Sequence, residues 1–359
     1  MISLAAPDAI VIIHGFYANA FVWESVAHQL AERTHQRVVV FDRIGFGLSS
    51  RPERKGKEGR GGSAGNLYSP EGQAKATIAM LRKLGLRRVS LAVHDDGAKI
   101  ALVLVDLASR AAGSPGSPGS PGSTGSAGDA VVIDRLALLH PNVVADPASK
   151  LMEQLMSSNI KGSTRKGLLR MEVEVTVKRQ CYGPQCLDAR QMHWYKMPLY
   201  VRGWEQALKG LIEASKWNAD VGMGVRMGVG VRVGVGVGVG VGVGGMGSPP
   251  RTGEVGGGTY GAYGAYGAGG SAVKAAKGGG GGGRFPMHDM LARLERVLVL
   301  TGLHDAVSRV EEIEALREHL PGSVAHVLDH CGHLSHHECP DALLAKIVPF
   351  FLPHPSAEA

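Results

Sequence analysis

The chain has 359 residues, 44% of them hydrophobic, enough for one large domain or two modest ones around a buried core. The formal charge of +7 gathers in short basic runs without interleaved aromatics, the pattern of solvated surface and not of a nucleic-acid interface. Four cysteines (Cys181, Cys186, Cys331, Cys339) are too few for a disulfide-stapled secreted domain and read as reduced thiols; no apolar run outside glycine-alternating sequence suggests a membrane span, and the N-terminus lacks the charged start of a signal peptide.

In chain order, the apolar run Ile10 to His14 predicts a strand and Ala20 to Arg33 a helix. Arg37 to Phe41 is a strand of Val, Val, Val and Phe. Pro70 to Leu84 is a helix with Ser69 as its cap and Glu71 in its first turn. Arg88 to Val93 is a strand, Gly97 to Arg110 a helix and Arg135 to His140 a strand. Further on, Arg296 to Thr301 is a strand, Val307 to Leu320 a helix, Ser323 to Leu328 a strand and Pro340 to Leu352 a helix. Strands alternating with helices predict an α/β fold: a mostly parallel sheet covered on both faces.

Two kinds of segment interrupt the alternation. Residues 55–65, 113–128 and 221–283 are glycine-rich and low in complexity, and hold much of the chain's 52 glycines. Val-Gly alternation imitates a strand, but glycine at every second position leaves one face without side chains, so these segments read as flexible insertions. Residues 144–290 carry helical candidates at Leu151–Ile160, Leu187–Tyr195 and Trp204–Ser215. The expected organisation is a core in two parts, 1–143 and 291–359, with a helical cap, 144–290, inserted between them.

Chemistry concentrates where the strand ending at Val93 meets the next helix. His94, Asp95, Asp96 and Gly97 form the turn, which is the setting of a nucleophile elbow, with Asp95 presented at its tip.

With this elbow the chain resembles the α/β-hydrolase fold superfamily, of the AB hydrolase-1 type. His14-Gly15-Phe16 resembles the oxyanion loop, and Asp42-Arg43-Ile44-Gly45-Phe46-Gly47-Leu48-Ser49 the Asp-Arg-x-Gly-x-Gly-x-Ser loop. Gly302-Leu303-His304-Asp305 resembles the acid-bearing loop, and Gly332-His333 the catalytic histidine loop. The segment from Met197 to Leu208 is similar to a plant and algal branch. The resemblance implies Asp95 as nucleophile, His333 as base and Asp305 as the acid that orients it, with Asp146 as an alternative acid. It implies an oxyanion hole from the backbone N–H groups of Phe16 and Asp96. Serine members of the superfamily make acyl-enzymes; its aspartate members, epoxide hydrolases and haloalkane dehalogenases, make alkyl-enzymes. An aspartate elbow therefore implies attack on an sp³ carbon of a small organic substrate. The alternatives are a weak esterase-like relative and a non-catalytic scaffold or receptor. A cytoplasmic or chloroplast home is expected in preference to a secreted one.

The sequence departs from that pattern at three points. Asp96 follows the nucleophile where aspartate members carry Trp or a basic residue. Val93 replaces a small residue. The two strands that flank the Arg37–Phe41 strand in the family are absent from this sequence. Tyr195, Tyr200 and Tyr182 are the cap tyrosines expected to be able to donate to an epoxide oxygen, with Trp194 as a lining residue. The stretch Cys331 to Cys339 holds Cys and His but no Cys-x-x-Cys pair, so no metal and no cofactor are assigned.

Overall fold

Alternating burial along one short strand sets the architecture. In β1 (Ala9–Ile13), Ile10 and Ile12 enter one apolar cluster while Ala9, Val11 and Ile13 enter another on the opposite face. A strand buried on both faces must be central to a covered sheet. Each fully buried isoleucine contributes ~1.5–3 kcal/mol. The computed structural model describes residues 8–53, 66–112, 130–143, 148–183, 186–221, 294–320 and 322–352. The segments 55–65 and 113–128, the stretch 222–283 and Asp146 lie outside the described residues.

The sheet has six strands in the order β2-β1-β3-β4-β5-β6, every neighbour pair parallel. Its other members are β2 (Val38–Val40), β3 (Arg88–His94), β4 (Val132–Leu139), β5 (Arg296–Gly302) and β6 (Val324–Leu328). This is the parallel α/β sheet the alternation predicts. Helices α1 (Glu24–Thr34), α2 (Pro70–Lys83), α3 (Gly97–Ala112), α8 (Val310–Glu318) and α9 (Pro340–Phe351) follow the strands. The Ser69 hydroxyl accepts the Gly72 N–H at 3.1 Å, the expected cap of α2.

Between β4 and β5 the chain leaves the sheet through α4 (Lys150–Ser157), α5 (Gly162–Arg179), α6 (Ala189–Lys196) and α7 (Trp204–Val221). Leu155, Leu169, Val173, Trp204 and Leu208 join the cluster that holds Ile12 and Phe16, so this excursion packs on the sheet's carboxyl end. Helix α5 is longer than any element expected there. Leu169, Val173 and Val177 are buried on one face while Met171 and Val175 are exposed on the other. Apolar residues on both sides leave no single stripe to read.

The cysteine expectation is corrected. Cys181 is bonded to Cys186 and Cys331 to Cys339. Each pair is close in sequence and lies on a turn that brings the Cα atoms to 5.9 Å and 6.2 Å, within disulfide reach, a closeness that a low cysteine count does not reveal.

Candidate active site

Strand β3 delivers Asp95 to the sheet's carboxyl end, and α3 begins two residues later. Asp95 has φ 53°, the left-handed region that a sharp strand-to-helix turn requires of a non-glycine residue. The turn is fixed at its backbone. Asp95 N–H donates to the Leu139 carbonyl at 3.2 Å, and its own carbonyl accepts from Ala98 and Asn142, both at 3.1 Å. Gly15 lies against the elbow so closely that a Cβ there would sit 2.6 Å from the Asp95 Cβ, which explains glycine at that position. Val93 is accommodated as a fully buried strand residue paired with Ile13 and Leu138.

The two oxygens of the Asp95 carboxylate stand in different settings. Oδ2 accepts the Phe16 N–H at 3.0 Å. Oδ1 faces Nε2 of His333 at 3.7 Å. Both Oδ1 and Nε2 are buried, and neither has a hydrogen-bond partner among the described residues.

Asp305, at the carboxyl end of β5, meets the other side of His333. The imidazole Nδ1 lies 2.9 Å from Oδ2 and 3.1 Å from Oδ1. Burial pushes the Asp305 carboxyl up, but His333 and His140 outweigh it and hold it far below the usual carboxylate range. An ionised Asp305 accepts only, so Nδ1 of His333 carries the proton and Nε2 offers its lone pair toward Asp95. Burial pulls the His333 pKa down; Asp305 and then Asp95 outweigh it, and the net displacement is upward.

The sequence-derived residues therefore divide. Asp95, His333, Asp305 and Phe16 converge. The Asp96 side chain turns away into an ion pair with Arg43 (3.0 Å), whose own N–H donates to Nε2 of His14. Burial raises the Asp96 pKa, Arg43 opposes it, and the Asp95 charge adds to the rise. Asp42 accepts the Ala20 and Leu48 N–H groups, both at 2.7 Å, which ties the two loops beside the elbow together.

An apolar cleft of ≈ 460 Å³, its mouth included, opens beside Phe16 and Tyr17 and is closed by Tyr195, Leu199, Trp204 and Leu208 of the excursion. Tyr195 lines it, with its hydroxyl 3.1 Å from Nε2 of His336. Tyr200 does not: its ring is 64% exposed under the Arg170 guanidinium. Trp194 packs at the margin of the core with Arg190 5.2 Å from its ring. Tyr182 stacks on His304, outside the cleft.

Sequence reasoning missed two residues. Tyr17 lines the cleft and directly follows the His-Gly-Phe motif, a signal that was available. His140, at the end of β4, reaches Asp305; nothing in the local pattern announces it. His140, Asp305 and His333 are the only described group that brings three metal-ligating side chains together, and their facing atoms are taken up by hydrogen bonds to one another. Cys331 and Cys339, being bonded to each other, offer no thiolate.

Comparison with known proteins bears on the fold. Residues 8–111 match a family described as alpha/beta hydrolase fold. Over 104 residues the chain is 34% identical to the human mesoderm-specific transcript homolog protein, a match spanning 28% of each protein. The chain thus covers just over a quarter of that relative's length. An esterase from Exiguobacterium antarcticum superposes with a TM-score of 0.56 at 14% identity, covering 97% of this chain and 93% of that one. The epoxide hydrolase CorEH superposes with a TM-score of 0.52 at 14% identity, covering 97% and 92%. These identities speak to fold.

Proposed function

The chain has the α/β-hydrolase fold, and from that premise we propose that it is a hydrolase working through a covalent ester on Asp95, with an epoxide-like small molecule as substrate. The observation that carries this reading is the division of labour within one carboxylate. Oδ2 is held by the Phe16 N–H, while Oδ1 has no hydrogen-bond partner among the described residues and faces the candidate base.

In the first step Oδ1 attacks an sp³ carbon of the epoxide. The C–O bond to that carbon breaks, its electron pair goes to the departing oxygen, and that oxygen takes a proton from a donor in the cleft. Tyr195 and Tyr17, whose side chains line the cleft, are the candidate donors, both kept protonated by burial. In the second step Nε2 of His333 takes a proton from water as the hydroxide adds to Cγ of Asp95. Negative charge develops on Oδ2, where the Phe16 N–H already points, with the Asp96 N–H as the second expected donor. Collapse releases the alkoxide, which takes the proton from His333; the carboxylic acid left on Asp95 then loses its proton, and one proton returns to the tyrosinate, so that both groups regain their starting forms. Asp305 stabilises the imidazolium throughout.

Esterification removes the Asp95 charge, one of the influences that raise the His333 pKa. The imidazole becomes less basic once the ester has formed, which eases its return to the neutral form that accepts a proton from water.

The test is a single turnover of styrene oxide in ¹⁸O-labelled water. The ester mechanism puts the label into the peptide that contains Asp95, and the diol receives the old Oδ1. Label found only in the diol sinks the ester reading. An esterase-like relative would instead hydrolyse p-nitrophenyl acetate in preference to the epoxide, and a scaffold would do neither.

A further inference from the structure

We propose that His140 is a positioning residue that shares the Asp305 carboxylate with His333 and competes with the base for its Oδ2 oxygen. This rests on the reading of Asp305 and His333 given above and adds a residue to it.

The geometry is built from several sides. His140 directly follows β4, at φ 50°. Its N–H donates to the Leu300 carbonyl at 2.6 Å, and its carbonyl accepts the Ser308 hydroxyl at 2.8 Å. The ring is fully buried, with Nδ1 2.8 Å from Oδ2 of Asp305 and Nε2 2.8 Å from the Ser335 hydroxyl. An ionised carboxylate requires a donor, so Nδ1 carries the proton and Nε2 accepts from Ser335.

Counting donors on Asp305 shows what the ring does. Oδ1 takes the N–H groups of Val307 (2.7 Å) and Ser308 (2.8 Å) and lies 3.1 Å from Nδ1 of His333, a longer contact than that ring makes to Oδ2. Oδ2 has the two imidazoles and the Thr301 hydroxyl at 3.2 Å. That hydroxyl has one hydrogen, and the Ser308 carbonyl is nearer, at 2.7 Å. Oδ2 therefore depends on His140 and His333 together. Without His140 its lone pairs would concentrate on His333, strengthening that pair and making the base harder to deprotonate.

The titratable groups that face His140 are Asp305, His333 at 5.4 Å between ring centroids, His94 at 5.6 Å, and, through charge, Glu338 and His336. Burial is the main influence on His140 itself and keeps it neutral, so it acts as a fixed dipolar donor.

The experiment uses the full chain and reads ring-proton NMR titration of His333 in His140→Ala, His140→Asn and Ser335→Ala. Asn is the rescue variant: its amide N–H replaces the ring Nδ1–H, and it tolerates a left-handed backbone. In His140→Ala the proton affinity of His333 is expected to rise by roughly tenfold, about one pH unit. Asn restores it, and Ser335→Ala moves it the same way by less. Styrene oxide turnover should fall in kcat with KM unchanged, its acid limb displaced upward in pH. A lower Tm with an unchanged His333 titration would make His140 merely structural and overturn the inference. Should His140→Ala not fold, the other two variants decide it: a Ser335→Ala titration identical to wild type overturns it. Were wild type to turn over no epoxide while the titration still moved, the ester reading would fail and this inference would stand.

Discussion

Asp95 Oδ1 and His333 Nε2 face each other at 3.7 Å, just beyond the span of a direct hydrogen bond of about 2.7–3.2 Å. Charge still couples them, since Asp95 is among the groups that raise the His333 pKa against its burial. Replacing Asp95 with Asn keeps the shape and removes the charge. The His333 pKa should then fall relative to wild type in a ring-proton NMR titration, and an unchanged value would remove the charge-release step from the mechanism.

Loss of the base should separate the two chemical steps. In His333→Gln, overall turnover of styrene oxide should drop by about 10²–10⁴-fold while alkylation of Asp95 proceeds. Intact-mass measurement should find an adduct of the mass of one epoxide, mapped to the peptide containing Asp95. Absence of any adduct, with the variant folded, argues against a covalent ester.

The Arg43–Asp96 ion pair beside the elbow is nearly dry: the Arg43 side chain is 2% exposed and that of Asp96 14%. Removing one member strands the other. Arg43→Met should destabilise by roughly 3–5 kcal/mol, and the double variant Arg43→Met/Asp96→Asn by less. Urea unfolding measures both, and equal losses would mean that the pair is not coupled.

Stability should fall with acid. Burial pushes His94 and His336 well below their usual pKa and His337 to about 4. Above pH 6.5 these rings are neutral whether folded or unfolded. Between 6.5 and about 4 the unfolded chain binds protons that folded His337 refuses, so unfolding gains. At pH 4.5 the loss from His337 alone is of order 1–3 kcal/mol. His333 acts oppositely: its raised pKa adds stability below 6.5 that is lost as pH rises through its folded value. His14 and His140 are lowered by burial as well, and five such rings against one give a lower urea midpoint at pH 4.5 than at pH 7.5; a midpoint independent of pH would contradict the burial of the cluster.

The elbow was legible in the sequence because a buried strand, a tight turn and a helix leave their marks on consecutive residues, and Asp95 sits where those marks meet. The acid and histidine loops were legible for the same local reason. Helix α5 was not, since its apolar residues lie on both faces. The start of α8 fell three residues later than Val307, because the N–H groups of Val307 and Ser308 are held by Oδ1 of Asp305 in a turn before the helix begins. His140 is beyond any local pattern: its partner is 165 positions away, and only the pairing of β4 with β5 brings the two together.

Glu338 accepts the Gly332 and Leu334 N–H groups on either side of His333, and also the Tyr182 N–H at the end of α5. The His333 N–H itself donates to the Gln180 carbonyl. One short stretch of the excursion is thus stitched to the backbone that carries the imidazole. Under the proposed function, the candidate base is anchored in part by the excursion, so a change in how those helices pack on the sheet would reach the imidazole through its own backbone.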